Sequence, residues 1–154
     1  MADIWYNKKM RRYRFLTLIL ALTLSAACSN LPKEHKVVTA KEGVITISLS
    51  EVNDGKVHFY THKKSGKRIN FFIRTDGTGK LSAYFDACYI CYKKKKGYHE
   101  EGTDLICNEC NLKFRLADEV WENKDCSPIL FKSKLGNNSL TIKTEDIEKG
   151  SKLF

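Results

Sequence analysis

Two Cys-x-x-Cys pairs, Cys88/Cys91 and Cys107/Cys110, lie in the stretch DACYICYKKKKGYHEEGTDLICNEC, with fifteen residues between them. A two-residue gap lets both sulfurs of one turn point at a single ion ~2.3 Å away, and two such turns complete a tetrahedron. The spacing matches tetrathiolate ribbons. All-thiolate sets suit Zn²⁺, a single iron, an iron–sulfur cluster or Cu(I), so the pattern points to metal without choosing one. The competing use of the same thiols is disulfide formation, local or between the pairs. Cys126 follows after a further fifteen residues. It reads either as a small buried hydrophobe or as a fifth ligand or resolving thiol. Knuckle turns favour an αL-tolerant residue after the second cysteine; Asn111 suits that position and Tyr92 does not, so the first turn should be less regular.

Other chemistries find little support. Tyr92 follows Cys91 and Asn111 follows Cys110, so there is no Cys-x-x-Cys-His haem attachment motif. Met1 and Met10 both precede the folded part, which removes methionine-based copper handling. His58 and His62 share a strand face but stand about 13 Å apart at ~3.3 Å per residue, too far to chelate one ion. His35 lies in a polar stretch and His99 between the cysteine pairs, where it reads as an exposed loop residue. No Ser/His/Asp set, phosphate loop or carboxylate pair stands out, so an electron carrier or binding protein is favoured over a catalyst.

The chain opens with a basic segment, Lys8 to Arg14, then the thirteen-residue uncharged run FLTLILALTLSAA from Phe15 to Ala27. A membrane span needs ~20 apolar residues, so this run suits a signal-peptide core. An uncleaved anchor is the alternative. LSAACSN resembles a lipoprotein signal, with Cys28 as the acylated residue. Residues 1–27 are then a leader, 28–42 a lipidated start and flexible tether, and 43–154 the folded domain. The expected location is the cell envelope, anchored to a membrane on its extracytoplasmic face. Of 27 basic and 18 acidic residues, 22 and 17 remain after the leader, a charge of +5. No basic helix or aromatic-interleaved basic stripe follows, which excludes nucleic acid as a partner. Lys93 to Lys96 is the one dense basic run: a solvated loop, or a patch for an anionic lipid surface or acidic partner.

The elements that must position these residues are mostly strands. VITISLSEV alternates, with Ile45, Ile47 and Leu49 on one face. A turn at Asn53-Asp54-Gly55 returns KVHFYTH as its hairpin partner. RINFFIR and KLSAYFD follow, separated by turns at Lys64-Ser65-Gly66 and Asp76 to Gly79, and KLSAYFD runs into Cys88. DLIC and KFRL flank the second pair, ADEVWE reads as a helical turn, SLTIK as a strand, and TEDIEKG as a final helix capped by Thr144 with Gly150 past its end. The expected fold is mainly β, a meander or small barrel-like sheet, with a Cys-rich zinc-ribbon-like half and one or two short helices.

From about Gly43 to Phe154 the sequence resembles the FtrD-like membrane iron–sulfur-containing domain family. Asp86, Cys88, Cys91, Gly97, Tyr98, Gly102, Cys107, Cys110, Phe114, Cys126, Pro128 and Ile129 fall on its hallmark positions. Lys124-Asp125 stands where the family carries a glycine pair, and Ser127 where it carries asparagine. The resemblance implies metal binding by Cys88, Cys91, Cys107 and Cys110, with Cys126 as a fifth candidate, and iron or an iron–sulfur cluster as cofactor. It also implies electron exchange with a membrane iron-transport or redox protein. In that scheme Asp86 orients the first knuckle, while Tyr98, Phe114 and Trp121 shield the centre. A structural zinc site in a transport complex and a dithiol–disulfide protein are the rival readings.

Overall fold

The computed structural model describes residues 32–118, 121 and 126–154. The leader, Cys28 and half of ADEVWE (residues 119, 120 and 122) lie outside the described residues.

Eleven strands among the described residues fall into three sheets: β1 (Lys36–Val38), β2 (Val44–Ser48), β3 (His58–Lys64), β4 (Lys67–Thr75), β5 (Leu81–Cys88), β6 (Tyr98–Glu101), β7 (Asp104–Cys107), β8 (Lys113–Arg115), β9 (Pro128–Phe131), β10 (Lys134–Leu135) and β11 (Ser139–Lys143). The central sheet runs β1-β3-β4-β5-β9, with β1 parallel to β3 and the other pairs antiparallel. The other two sheets are β10-β11-β2 and β6-β7-β8. The fold is mainly β, as the alternation and turn signals predict.

β4 and β5 are buried over most of their length because both their faces are covered. Their two-residue period sends Ile69, Phe71, Ile73, Ala83, Phe85 and Ala87 to one side, against Ile45, Ile47, Leu140 and Ile142 of the second sheet. The alternate positions Phe72, Tyr84 and Cys88 meet Tyr98, Leu105 and Cys107 of the third sheet, together with Trp121 and Cys126. The parity of β5 thus puts Tyr84, Asp86 and Cys88 on the same face as the cysteine-bearing sheet.

Three sequence expectations need correction. β2 is no hairpin partner of β3: it pairs with β11 near the other end of the chain. A single helical turn α1 (Leu49–Val52) buries Val52 and interrupts the strand, so the chain leaves the second sheet before β3 begins. Residues 36–38, read as tether, form β1 on the edge of β3. At the C-terminus, α2 (Thr144–Glu148) begins after Lys143 rather than at a Thr144 cap. It continues into a 3₁₀ segment, Lys149–Leu153, that contains Gly150. Gly150 is there for room, since a Cβ would stand 2.2 Å from the Phe85 ring.

Candidate metal centre

Five cysteines reach one region from three parts of the chain. β5 ends at Cys88, and the chain turns so that the Cys91 N–H donates to Cys88 Sγ at 3.3 Å. A 3₁₀ turn, Tyr92–Lys94, follows, and the left-handed position falls on Lys95 (φ 54°) rather than Tyr92. This is the irregular first knuckle expected of a bulky residue there. The second knuckle is regular: Asn111 adopts φ 58°, and its N–H donates to Cys107 O at 3.0 Å while Cys107 N–H donates to Leu112 O at 3.0 Å. Cys126 arrives because β9 pairs with β5. Cys88 stands opposite Pro128, and Tyr89 N–H donates to Ser127 O at 3.1 Å.

The sulfurs of Cys88, Cys91, Cys110 and Cys126 all lie within 4.8 Å of one another. Cys91 and Cys126 are 3.7 Å apart. Cys88 and Cys126 are buried, Cys91 and Cys110 half-buried. Cys107 is buried beside this set, and its thiol interacts with that of Cys110. All five are free thiols. Burial, with the other thiols adding to it, raises Cys126 above the ordinary thiol value, and burial with the Cys88 thiol raises Cys91 against a lowering hydrogen bond with Cys126. Burial pushes Cys107 up to about 12. Burial also acts to raise Cys110, but hydrogen bonds from Cys126, the Leu112 amide, Cys107 and Cys91 outweigh it and leave that thiol lowered. A closed set of soft sulfur donors suits Zn²⁺ or iron.

Residues around the sulfurs hold them through the backbone. Asp86 Oδ1 accepts the Tyr98 N–H at 2.7 Å, and Oδ2 lies 3.3 Å from His35 Nε2. Tyr98 O–H donates to Cys126 O at 2.5 Å. Burial first, then the neighbouring Cys88 and Cys107 sulfurs, raises the Tyr98 phenol and keeps it a donor. Phe114 sits edge-on to Tyr98 at 6.2 Å and tilted against Trp121 at 5.8 Å. The Arg74 guanidinium lies 3.8 Å over the Trp121 ring and donates to Leu116 O. Lys96 pairs with Glu109 at 2.7 Å, and Asn108 Nδ2 donates to Lys96 O at 2.8 Å, tying the two cysteine loops together.

His35 and Arg74 were not legible as site residues: His35 lies in an aperiodic polar stretch, and Arg74 acts through packing that only the fold creates. Gly97 stood out as a family hallmark position, but not for its closeness to Asp86. His58 pairs with Asp54 and His99 with Asn108, and neither belongs to the group of clustered ligand atoms.

The fold and site together define a small three-sheet β protein with a partly buried, all-cysteine ligand set where β5, the second knuckle and β9 meet. Residues 52–154 match the family described as membrane iron-sulfur containing protein FtrD-like, and the chain belongs to it. No curated protein matches the chain. A crystal structure of the quaternary ammonium Rieske monooxygenase CntA in complex with an inhibitor is similar at 15% identity and a TM-score of 0.44, over 72% of this chain and 31% of that one. This chain therefore spans under a third of that protein, a likeness too loose to assign a shared fold.

Proposed function

We propose that the protein is an extracytoplasmic metal carrier, anchored to a membrane through an acylated Cys28 after a leader of residues 1–27, that holds iron on its cysteines and passes electrons in membrane iron uptake. The observation that carries this reading is the convergence of four cysteine sulfurs within 4.8 Å in a member of a membrane iron-sulfur family. No helix among the described residues is long and apolar enough to cross a membrane.

Iron on thiolates would supply one-electron chemistry. The chain's own part is to fix the sulfurs and limit water. Tyr98, Phe114 and Trp121 form the apolar wall on one side, and such burial helps set the potential of a centre. The other side is more open. Tyr89 and Ile90, 52% and 60% exposed inside the first Cys-x-x-Cys, and Leu112 beside the second, at 47%, flank the half-buried Cys91 and Cys110. Lys93 to Lys96 supply a positive margin. An apolar patch with a charged edge is the form of a docking surface, suited to a membrane iron-transport or redox protein with an acidic face.

Structural zinc is the second reading. It is favoured by the way the four sulfurs join three separate chain segments, which an electrochemically silent ion would staple equally well. The test is the whole chain, produced in its membrane and purified without air. Iron with a charge-transfer band that bleaches on reduction, and acyl mass on Cys28, is the expected result. Zinc alone, with no response to reductant, would overturn the electron-transfer role.

A further inference from the structure

We propose that the ligands are Cys88, Cys91, Cys110 and Cys126, that together they hold one ion rather than a polynuclear iron–sulfur cluster, and that Cys107 stays outside as a core thiol. The proposal rests on the reading above that these thiols bind metal, and it departs from what the family description implies for the cofactor.

The argument is one of spacing. Four sulfurs at ~2.3 Å from one ion sit at the corners of a tetrahedron with edges of about 3.8 Å. Cys91 and Cys126 are 3.7 Å apart, and all six separations in the set are at most 4.8 Å. In a cluster the thiolates are divided among several irons. The separation between irons adds to the bond lengths, so sulfurs on different irons lie beyond a single tetrahedron's edge.

Widening the set would break several ties at once. Cys126 is held to the first knuckle by the Cys88–Pro128 register, the Tyr89–Ser127 hydrogen bond and the Tyr98 hydroxyl. The second knuckle is held to the first by Lys96–Glu109 and by Asn108, whose N–H donates to Gly97 O at 3.0 Å.

Cys107 is set apart by distance: the sulfurs that all lie within 4.8 Å of one another are those of Cys88, Cys91, Cys110 and Cys126. On β7 it shares a face with Leu105, and both side chains are buried in the cluster that also holds Cys88 and Cys126. Its N–H and carbonyl close the second knuckle, so its position in the motif serves the turn that presents Cys110. Residue spacing alone suggests two symmetrical pairs. The return of β9 replaces one member of the second pair with Cys126.

The test uses the whole chain, purified anaerobically and loaded in separate samples with Fe²⁺ together with inorganic sulfide, Zn²⁺ or Co²⁺. Metal and acid-labile sulfide are measured per chain, with X-ray absorption at the metal edge. One ion per chain, four sulfur neighbours, no sulfide and no metal–metal scattering is the expected result. Two or more irons with matching sulfide would overturn the proposal and leave the function standing, whereas failure to bind any of the three metals would overturn both. Cys126→Ala should weaken Zn²⁺ by more than the ~10–100-fold that loss of an outer-shell partner costs, while Cys107→Ala retains one ion. The reverse order would overturn the assignment of Cys107. The absorption measurement needs no variant and stands if either substitution unfolds the chain.

Discussion

Asp86 and Tyr98 form a two-link chain from the N-terminal segment to a cysteine. Asp86 holds His35 on one oxygen and the Tyr98 amide on the other; Tyr98 then reaches the carbonyl of Cys126 with its hydroxyl. Tyr98→Phe keeps the ring contacts with Phe72 and Phe114 but leaves a buried carbonyl without this donor. It should cost about 1–3 kcal/mol and lower metal affinity by ~10-fold. Denaturant titration and metal competition read the two effects, and unchanged values in both would show that the hydroxyl does not position Cys126. Gly97 makes the approach possible. A Cβ there would stand 2.4 Å from Asp86 Oδ1, on backbone at φ +64°. Gly97→Ala should therefore destabilise the loaded protein by about 1–3 kcal/mol through overpacking, with the same two measurements as readout. A fully stable Gly97→Ala variant would mean that the Asp86 carboxylate can move aside freely.

Strands β3, β4, β5, β7 and β11 were legible because alternation and turn residues are local signals. The turns between them also foretold the β3–β4 and β4–β5 pairings, but not the partner of β2. VITIS carries the same alternation whether it pairs with β3 or with β11, and only the buried Val52 turn decides between them. Two Cys-x-x-Cys pairs likewise announce a metal site from local spacing, whereas the return of Cys126 depends on β9 pairing with β5 across a long stretch of chain. The β4–β5 turn illustrates a local signal with a measurable consequence. Asp76 Oδ1 accepts from Thr78 N–H at 2.9 Å, Thr78 O–H at 2.6 Å and Lys80 N–H at 3.0 Å. Burial acts to raise this carboxyl, but those hydrogen bonds outweigh it and hold it below the usual Asp value. A depressed carboxylate contributes stability above its unfolded value, ~3.9, and that contribution is lost as pH falls through the folded value. Asp76→Ala should thus cost about 1–3 kcal/mol at neutral pH and flatten the loss of stability below pH ~4. Parallel acid-titration curves for the two proteins, at equal stability, would contradict this.

On the scale of the whole molecule, two apolar clusters flank the central sheet, and the cysteines belong only to the one facing β6-β7-β8. The first cluster joins β2, β11 and α2 to β4 and β5 without a single cysteine ligand apart from the backbone continuity of β5 into Cys88. Small domains whose only core is a metal site unfold when the metal is removed; here the ion closes the loops of one face of a sheet that is already packed on the other. Removal by a strong chelator should therefore lower the thermal midpoint while leaving a cooperative transition. Opening should be local, drawn from the part with the fewest independent contacts. Hydrogen exchange locates it. Amides of Cys91, Asn108, Asn111 and Tyr89, whose acceptors lie within the two cysteine loops and the start of β9, should lose protection on chelation. Those of β3, β4 and the adjoining part of β5 should keep theirs. Uniform loss across all three sheets would show that the ion supports the entire fold, and the first cluster could then not be counted as an independent core.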